Sequence, residues 1–146
     1  MDLNLYVPGG KFALVVRAVI LRGDCVLMVK DSLGRYYYPV GGRVQFGETA
    51  AQAAEREAFE ETGVAFEAQR LLFVHENFFD QSHEMSLVYL MKPNAAPVRE
   101  TTDEGEALEW LPIDRLAEYK VFPRFFPAEL PNLTMEIKHF VSKGLT

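Results

Sequence analysis

The stretch from Gly42 to Val64, GRVQFGETAAQAAEREAFEETGV, decides how this chain of 146 residues is read. The glycine pair Gly41-Gly42 introduces it, a second turn follows at Gly47-Glu48, and a helical pattern then runs to Gly63. Thr49 has the side chain of an N-cap, and Gln52 three residues on completes a capping box. Gly63 stands where a left-handed residue closes a helix. Between the caps, Glu57, Glu60 and Glu61 are spaced i, i+3, i+4, which projects three carboxylates from one side of the helix. Ala50, Ala53 and Ala54 precede them, and the pattern predicts a low, accessible surface there. Each like-charge pair costs roughly 0.2–0.5 kcal/mol. Glu60 and Glu61 also lie at the end of the helix dipole that disfavours anions. Charge kept clustered against both penalties is charge that can hold a cation.

Gly42, Glu48, Arg56-Glu57, Glu60-Glu61 and Gly63, in this spacing, resemble the Nudix box of the Nudix hydrolase family. Three positions depart from the usual pattern: Val40 where a proline often precedes the glycine pair, Gln45 where an acid is common, and Ala58 where a larger aliphatic residue is usual. None removes a metal ligand. The resemblance implies an α/β/α sandwich with a mixed sheet, and metal-dependent hydrolysis of a nucleoside diphosphate linked to another group X. It makes Glu57, Glu60 and Glu61 the metal-binding face and adds the Gly41 carbonyl as a further ligand, since glycine lets backbone approach an ion. The general base is Glu57 or an acid in a later loop; Glu104, six residues before Trp110, is the candidate there, with Asp103 and Glu106 competing. Arg56 either orients Glu57 or Glu60 with its fork of N–H donors or offsets the local charge, the first reading being favoured by its fixed place in the box, and Glu48 braces the loop against the helix. In relatives that use ADP-ribose a proline marks the region beyond the box, whereas the first proline after Gly63 here is Pro93. Relatives that use dinucleoside polyphosphates often carry a tyrosine there, where this chain has Phe78-Phe79.

Composition narrows the remaining classes. With 49% hydrophobic residues, the chain reads as one domain, residues 1–146, with a core of its own. The single cysteine, Cys25, lies in the apolar run CVLMV, excludes an internal disulfide and suits a cytoplasmic setting. It is expected to be a buried packing residue. MDLNLYVPGG has neither the basic start nor the apolar core of a signal peptide, and no apolar stretch reaches membrane-spanning length. The net charge of −6 opposes binding to nucleic acid or to an anionic membrane. Five acids and two arginines between Gly42 and Val64 supply half of that deficit. The expected partner is a small nucleotide or nucleoside diphosphate derivative, and the expected state a monomer or homodimer.

Taken in order, Lys11 to Arg22 is rich in β-branched residues and reads as a strand, Gly23-Asp24 as a turn, and Cys25 to Lys30 as its return. Asp31 to Arg35 is a polar loop, Tyr36 to Pro39 leads into the glycine pair, and Val44 is placed in a further short strand. Phe66 to Phe79 and Glu84 to Lys92 form a second pair of strands about a turn at Asp80 to His83. Pro93 to Glu106 is a surface loop, Ala107 to Leu111 a short strand, and Ile113 to Glu118 a helical turn. Leu133, Ile137, Phe140 and Val141 recur at helical spacing, so Pro131 to Lys143 is expected to be a C-terminal helix on the sheet. Strands on either side of a helix, followed by a second helix, define an α/β fold with a mixed sheet. The order of elements follows the Nudix pattern from Phe12 to about Leu145.

Carboxylates are hard oxygen ligands suited to Mg²⁺ or Mn²⁺, whereas Zn²⁺ favours His and Cys. His75, His83 and His139 are not at ligand spacing and read as surface or core residues. Runs of acids on a helix commonly mark a solvated face; a complete box outweighs that reading. Tyr36, Tyr37, Tyr38, Phe78 and Phe79 flank the box, and of these Tyr38, Phe78 and Phe79 are the candidate base-stacking rings. Arg35 is the candidate phosphate contact. The alternative function is a non-catalytic nucleotide-binding or regulatory module of the same fold, which the intact Glu57, Glu60 and Glu61 oppose.

Overall fold

A computed structural model describes residues 1–144; residues 145 and 146, and with them the predicted end of the match at Leu145, lie outside the described residues. The elements in order are β1 (Asn4–Val7), β2 (Gly10–Val19), β3 (Leu21–Arg22), β4 (Cys25–Lys30), β5 (Tyr37–Arg43), α1 (Ala50–Thr62), β6 (Ala68–Phe79), β7 (Ser82–Met91), β8 (Leu108–Pro112), a 3-10 turn at Ile113–Glu118, α2 (Phe126–Glu129), a second 3-10 turn at Leu130–Asn132, and β9 (Lys138–Lys143). The sheet runs β3-β4-β5-β2-β7-β6-β9, with β1 on β2 and β8 on β4. The β2–β7 and β6–β9 pairs are parallel and the others antiparallel, so the sheet is mixed as expected. The β6–β7 hairpin turns on Asp80 and Gln81, both at positive φ, which is the backbone a two-residue turn of matching twist demands.

One face of the sheet carries α1. Ala53, Ala54 and Ala58 are fully buried there, against Val16, Ala18, Leu27 and Val40. This corrects the expectation that Ala50, Ala53 and Ala54 form an open surface. With only methyl groups between helix and sheet, α1 lies close to the strands, and that closeness positions its acids. The ends behave as the caps predict: Thr49 accepts from the Gln52 N–H at 3.1 Å, the Gln52 side chain accepts from the Thr49 N–H at 2.9 Å, and Gly63 is left-handed at φ 78°.

The opposite face is covered by Leu116, Val121, Phe126 and Leu130, packed on Val19, Val26, Met28, Phe73 and Val88. This second layer comes from the short helical turns between Ile113 and Asn132. The predicted C-terminal helix over Pro131 to Lys143 does not form. Its last six residues are β9, paired in parallel with β6 from Phe73↔Lys138 to Phe78↔Lys143. Period-two burial won over helical spacing: Phe140 stacks on Phe125 at 3.9 Å, while Ile137 and Val141 are exposed. Pairing with β6 gives the backbone its hydrogen bonds, which a spacing argument cannot anticipate. Two smaller expectations also change. Val44 does not start a new strand, because β5 runs straight through Gly41-Gly42 and ends at Arg43; the Val44 N–H donates to the Leu14 carbonyl just beyond. Cys25 is only partly covered, at the first position of β4. No helix among the described residues is long and apolar enough to cross a membrane.

Candidate active site

The glycine pair is glycine because other atoms occupy the space a side chain would need. A Cβ on Gly41 would lie 2.1 Å from the Val16 carbonyl oxygen and 2.8 Å from Arg17 Cδ. One on Gly42 would lie 2.5 Å from the Glu57 carboxyl group. Glu57 therefore reaches from α1 directly onto β5. Together with Glu61, one turn further along α1, it lines a cavity of about 330 Å³ whose other walls include Arg17, Tyr38, Glu84, Glu104 and Glu106.

The two acids differ in environment. Glu57 accepts from Arg56 Nη1 at 2.9 Å; burial raises its pKa, and the arginine opposes the rise. Burial pushes Glu61 up to about 8, the Glu57 charge adds to this, and the Arg17 charge acts against it. Glu61 Oε2 is buried with no hydrogen-bond partner. A buried carboxylate oxygen left unpaired is costly, and a divalent cation is a partner that both the oxygen and the charge would accept.

Glu60 stands apart. It is exposed, and its carboxylate turns to Arg56 Nη1 at 3.3 Å rather than into the cavity. Among the described residues no group of three His, Cys, Asp or Glu side chains is drawn together as a metal cage. The observed pair Glu57 and Glu61 nevertheless fits a hard divalent ion, given oxygen donors, an orphaned buried oxygen and a backbone without side chains beside them.

Arg56 is the brace of the site. Its guanidinium donates to Glu48 at 2.7 and 3.1 Å, to Glu57 at 2.9 Å, to Glu60 at 3.3 Å and to the Arg43 carbonyl at 2.9 Å. Glu48 also accepts from the Gln45 N–H at 2.8 Å, and the Arg56 contact holds its carboxyl below the usual range. Loop and helix are thus clamped by one planar fork, which a lysine cannot imitate.

Glu104 and Glu106 enter from the loop before β8. Thr102 is buried and its hydroxyl accepts from both backbone N–H groups, at 3.3 and 3.1 Å, which fixes the turn. Glu104 lines the cavity, and Glu106 accepts from the Tyr38 hydroxyl at 2.8 Å. Asp103 is exposed, its charge felt at Glu61. Of the predicted substrate residues, Tyr38 borders the acid cavity, and Arg35 and Phe79 line an adjoining groove of about 560 Å³. Arg35 is also tied to Asp31 at 2.8 Å. Phe78 is elsewhere: it stacks on His83 at 4.2 Å near the β6–β7 turn, away from the acids. Arg17, which borders both spaces, went unnoticed in the sequence because an arginine inside an apolar strand carries no motif.

The sequence matches the NUDIX domain family over residues 11–128. A MutT-like protein of Streptomyces ambofaciens is 31% identical over 105 residues, which cover 70% of this chain and 66% of that protein. Mouse nucleoside diphosphate-linked moiety X motif 6 is 30% identical over 119 residues, covering 78% of this chain but 36% of the mouse protein. The fold is shared with the MutT protein of Bacillus halodurans, with a TM-score of 0.71, 19% identity and 82% of each chain covered. The chain belongs to the Nudix family.

Proposed function

We propose that this protein is a divalent-metal-dependent pyrophosphohydrolase acting on a nucleoside diphosphate linked to a second group X. The observation that carries this reading is the meeting of Glu57 and Glu61 at the glycine pair, with one Glu61 oxygen buried and unpaired. Glu57 and Glu61 would hold Mg²⁺ or Mn²⁺, with the Gly41 carbonyl as a further oxygen donor; Glu60, turned to Arg56, would stay outside this set. The bound ion supplies neutralisation of phosphate charge and a lowered pKa for attacking water. Water oxygen bonds to one phosphorus, the bond from that phosphorus to the bridging oxygen breaks, and the products are a nucleoside monophosphate and phosphorylated X. Glu57, held by Arg56 and with its pKa raised by burial, is placed to take the proton that water gives up. Glu104 is the second acid at the cavity wall. The name of the mouse relative, nucleoside diphosphate-linked moiety X motif 6, supports the same substrate class.

The test is a panel of nucleoside triphosphates, ADP-ribose, sugar nucleotides and dinucleoside polyphosphates, assayed with Mg²⁺, with Mn²⁺ and in chelator. Nucleoside monophosphate should appear only with metal, and Glu57→Gln and Glu61→Gln should each lower turnover by about a hundredfold or more. Turnover undiminished in chelator would sink the reading. Nucleotide binding without hydrolysis of any compound would favour the non-catalytic module instead.

A further inference from the structure

The turn that carries Glu104 and Glu106 to the acid cavity spans the gap between the sheet and α1. Its ties to the sheet side are several. The Leu108 N–H of β8 donates to the Glu100 carbonyl at 2.9 Å, and the Lys30 N–H of β4 donates to the Ala107 carbonyl at 2.9 Å. The Tyr38 hydroxyl of β5 donates to Glu106. The start of the loop is held separately, where Arg22 Nη2 donates to the Asn94 and Ala96 carbonyls at 2.7 Å each. On the helix side one residue makes the connection. The Arg99 N–H donates to the Thr62 carbonyl at 3.0 Å, and Arg99 Nη2 donates to the Glu60 carbonyl. Among the described residues no other hydrogen bond ties residues 93–106 to α1.

The end of α1 has the chemistry to receive Arg99. A helix leaves its last four carbonyls without donors of its own. In α1 the Gly63 N–H meets the Phe59 carbonyl at 2.8 Å, and Arg99 supplies the Glu60 and Thr62 carbonyls. This last turn holds Glu60 and Glu61 and no basic residue, so a cation from elsewhere suits both the dipole and the acids. Arg99 brings it from 39 positions along the chain. Its side chain lies across Gly63, with Nε, Cγ and Cδ at 3.4 to 3.6 Å from where a Cβ would be.

The carbonyl that Arg99 holds belongs to the peptide joining Glu60 to Glu61, the backbone unit from which the Glu61 side chain enters the cavity. Three residues beyond Arg99 is buried Thr102, whose hydroxyl fixes the Glu104 and Glu106 N–H groups. We propose that Arg99 is a positioning residue: it clips the acid-bearing turn to the end of α1 and so sets the separation of Glu61 and Glu104 across the cavity. Arg99 does not line the cavity itself and acts through Glu104. This rests on the hydrolase reading and deepens it by naming what holds the second acid in place.

A double-mutant cycle of Arg99→Ala with Glu104→Gln tests it, alongside amide hydrogen exchange on the metal-free protein. Arg99→Ala should lower kcat about tenfold and leave KM within about threefold, because a small misplacement of a reacting group is costly. On the Glu104→Gln background the same change should cost less than about twofold, since the residue it acts through is already disabled. Arg99→Lys keeps a cationic donor for the Glu60 carbonyl and should recover most of the lost kcat. Exchange at the Glu104 and Glu106 amides should quicken at least about fivefold in Arg99→Ala, with the Ala53 and Ala54 amides unchanged. Arg99 is exposed, so the variants should fold; should Arg99→Ala fail to, Arg99→Gln enters the same cycle with the same expectations. Effects of Arg99→Ala and Glu104→Gln that simply multiply, or exchange left unchanged in the turn, overturn the positioning role and leave the hydrolase standing. Absence of any hydrolysis by the unmutated protein would overturn the hydrolase reading and the catalytic role of Arg99 with it, while exchange would still decide whether Arg99 holds the turn.

Discussion

Gly42 and Glu57 share one space: the Glu57 carboxyl group sits 2.5 Å from where a Gly42 Cβ would be. The carboxylate is a movable side-chain end, so the fold can yield there while the site does not. Beside it, the obstacle at Gly41 is the Val16 backbone carbonyl, which cannot step aside cheaply.

Gly42→Ala should therefore lower turnover by about tenfold to a hundredfold, through displacement of Glu57, while costing less than about 1 kcal/mol of stability. Gly41→Ala should cost about 1–3 kcal/mol or more, by forcing β5 away from β2. Melting curves and kcat measured on both variants check the pair. A Gly42→Ala protein with full activity would show that Glu57 is not held where it matters.

Glu61 gives a pH dependence in the metal-free protein. Its folded pKa is about 8 against a usual value of 4.5, so between these the folded state binds more protons than the unfolded state. Stability contributed by the neutral carboxyl is present in full below about pH 4.5 and falls as pH rises toward 8. Glu61→Gln removes this loss, and in chelator it should melt several degrees above the unmutated protein at pH 8, with the gap closing toward pH 5. Glu60→Gln, at an exposed position, should shift stability by no more than about 0.5 kcal/mol. Adding Mg²⁺ should raise the unmutated protein more than matched NaCl does, because binding the folded state adds stability. Equal melting of Glu61→Gln and the unmutated protein at pH 8 would contradict the burial argument.

Arg56→Lys keeps the charge and loses the fork. Glu48, Glu57 and the Arg43 carbonyl cannot all be reached by one ammonium, so about 1–3 kcal/mol of stability should go, together with about tenfold or more in kcat. Thermal melts and steady-state kinetics decide between this and a purely electrostatic role, for which lysine would suffice.

Glu104→Gln should lower turnover more than Asp103→Asn does, because Glu104 lines the acid cavity and Asp103, equally exposed, does not. Glu106→Gln should fall between them, since the Tyr38 hydroxyl can still donate to an amide oxygen. If Glu104→Gln is the mildest of the three, the second acid has been misplaced. One assay with all three variants settles the order.

Local chemistry made much of this protein legible before any fold was known. The Thr49–Gln52 capping box, the left-handed Gly63 and the spacing of Glu57, Glu60 and Glu61 depend on residues within a few positions of one another, so α1 could be read directly. The glycine pair and the β6–β7 turn were legible for the same reason. Three acids at helical spacing cannot reveal which of them faces the strands. Only the packing of Ala53, Ala54 and Ala58 on the sheet brings Glu57 onto Gly42, buries Glu61 and leaves Glu60 outside with Arg56. The segment before Lys143 has the spacing of a helix, but an unpaired β6 edge offered its backbone a ladder of hydrogen bonds and it became β9. Arg17, His75, Asn77 and Ser142 come from three strands distant in sequence and meet through strand register alone. Sequence determines what is decided within one turn of chain; partners brought from afar, and the burial they impose, belong to the tertiary structure.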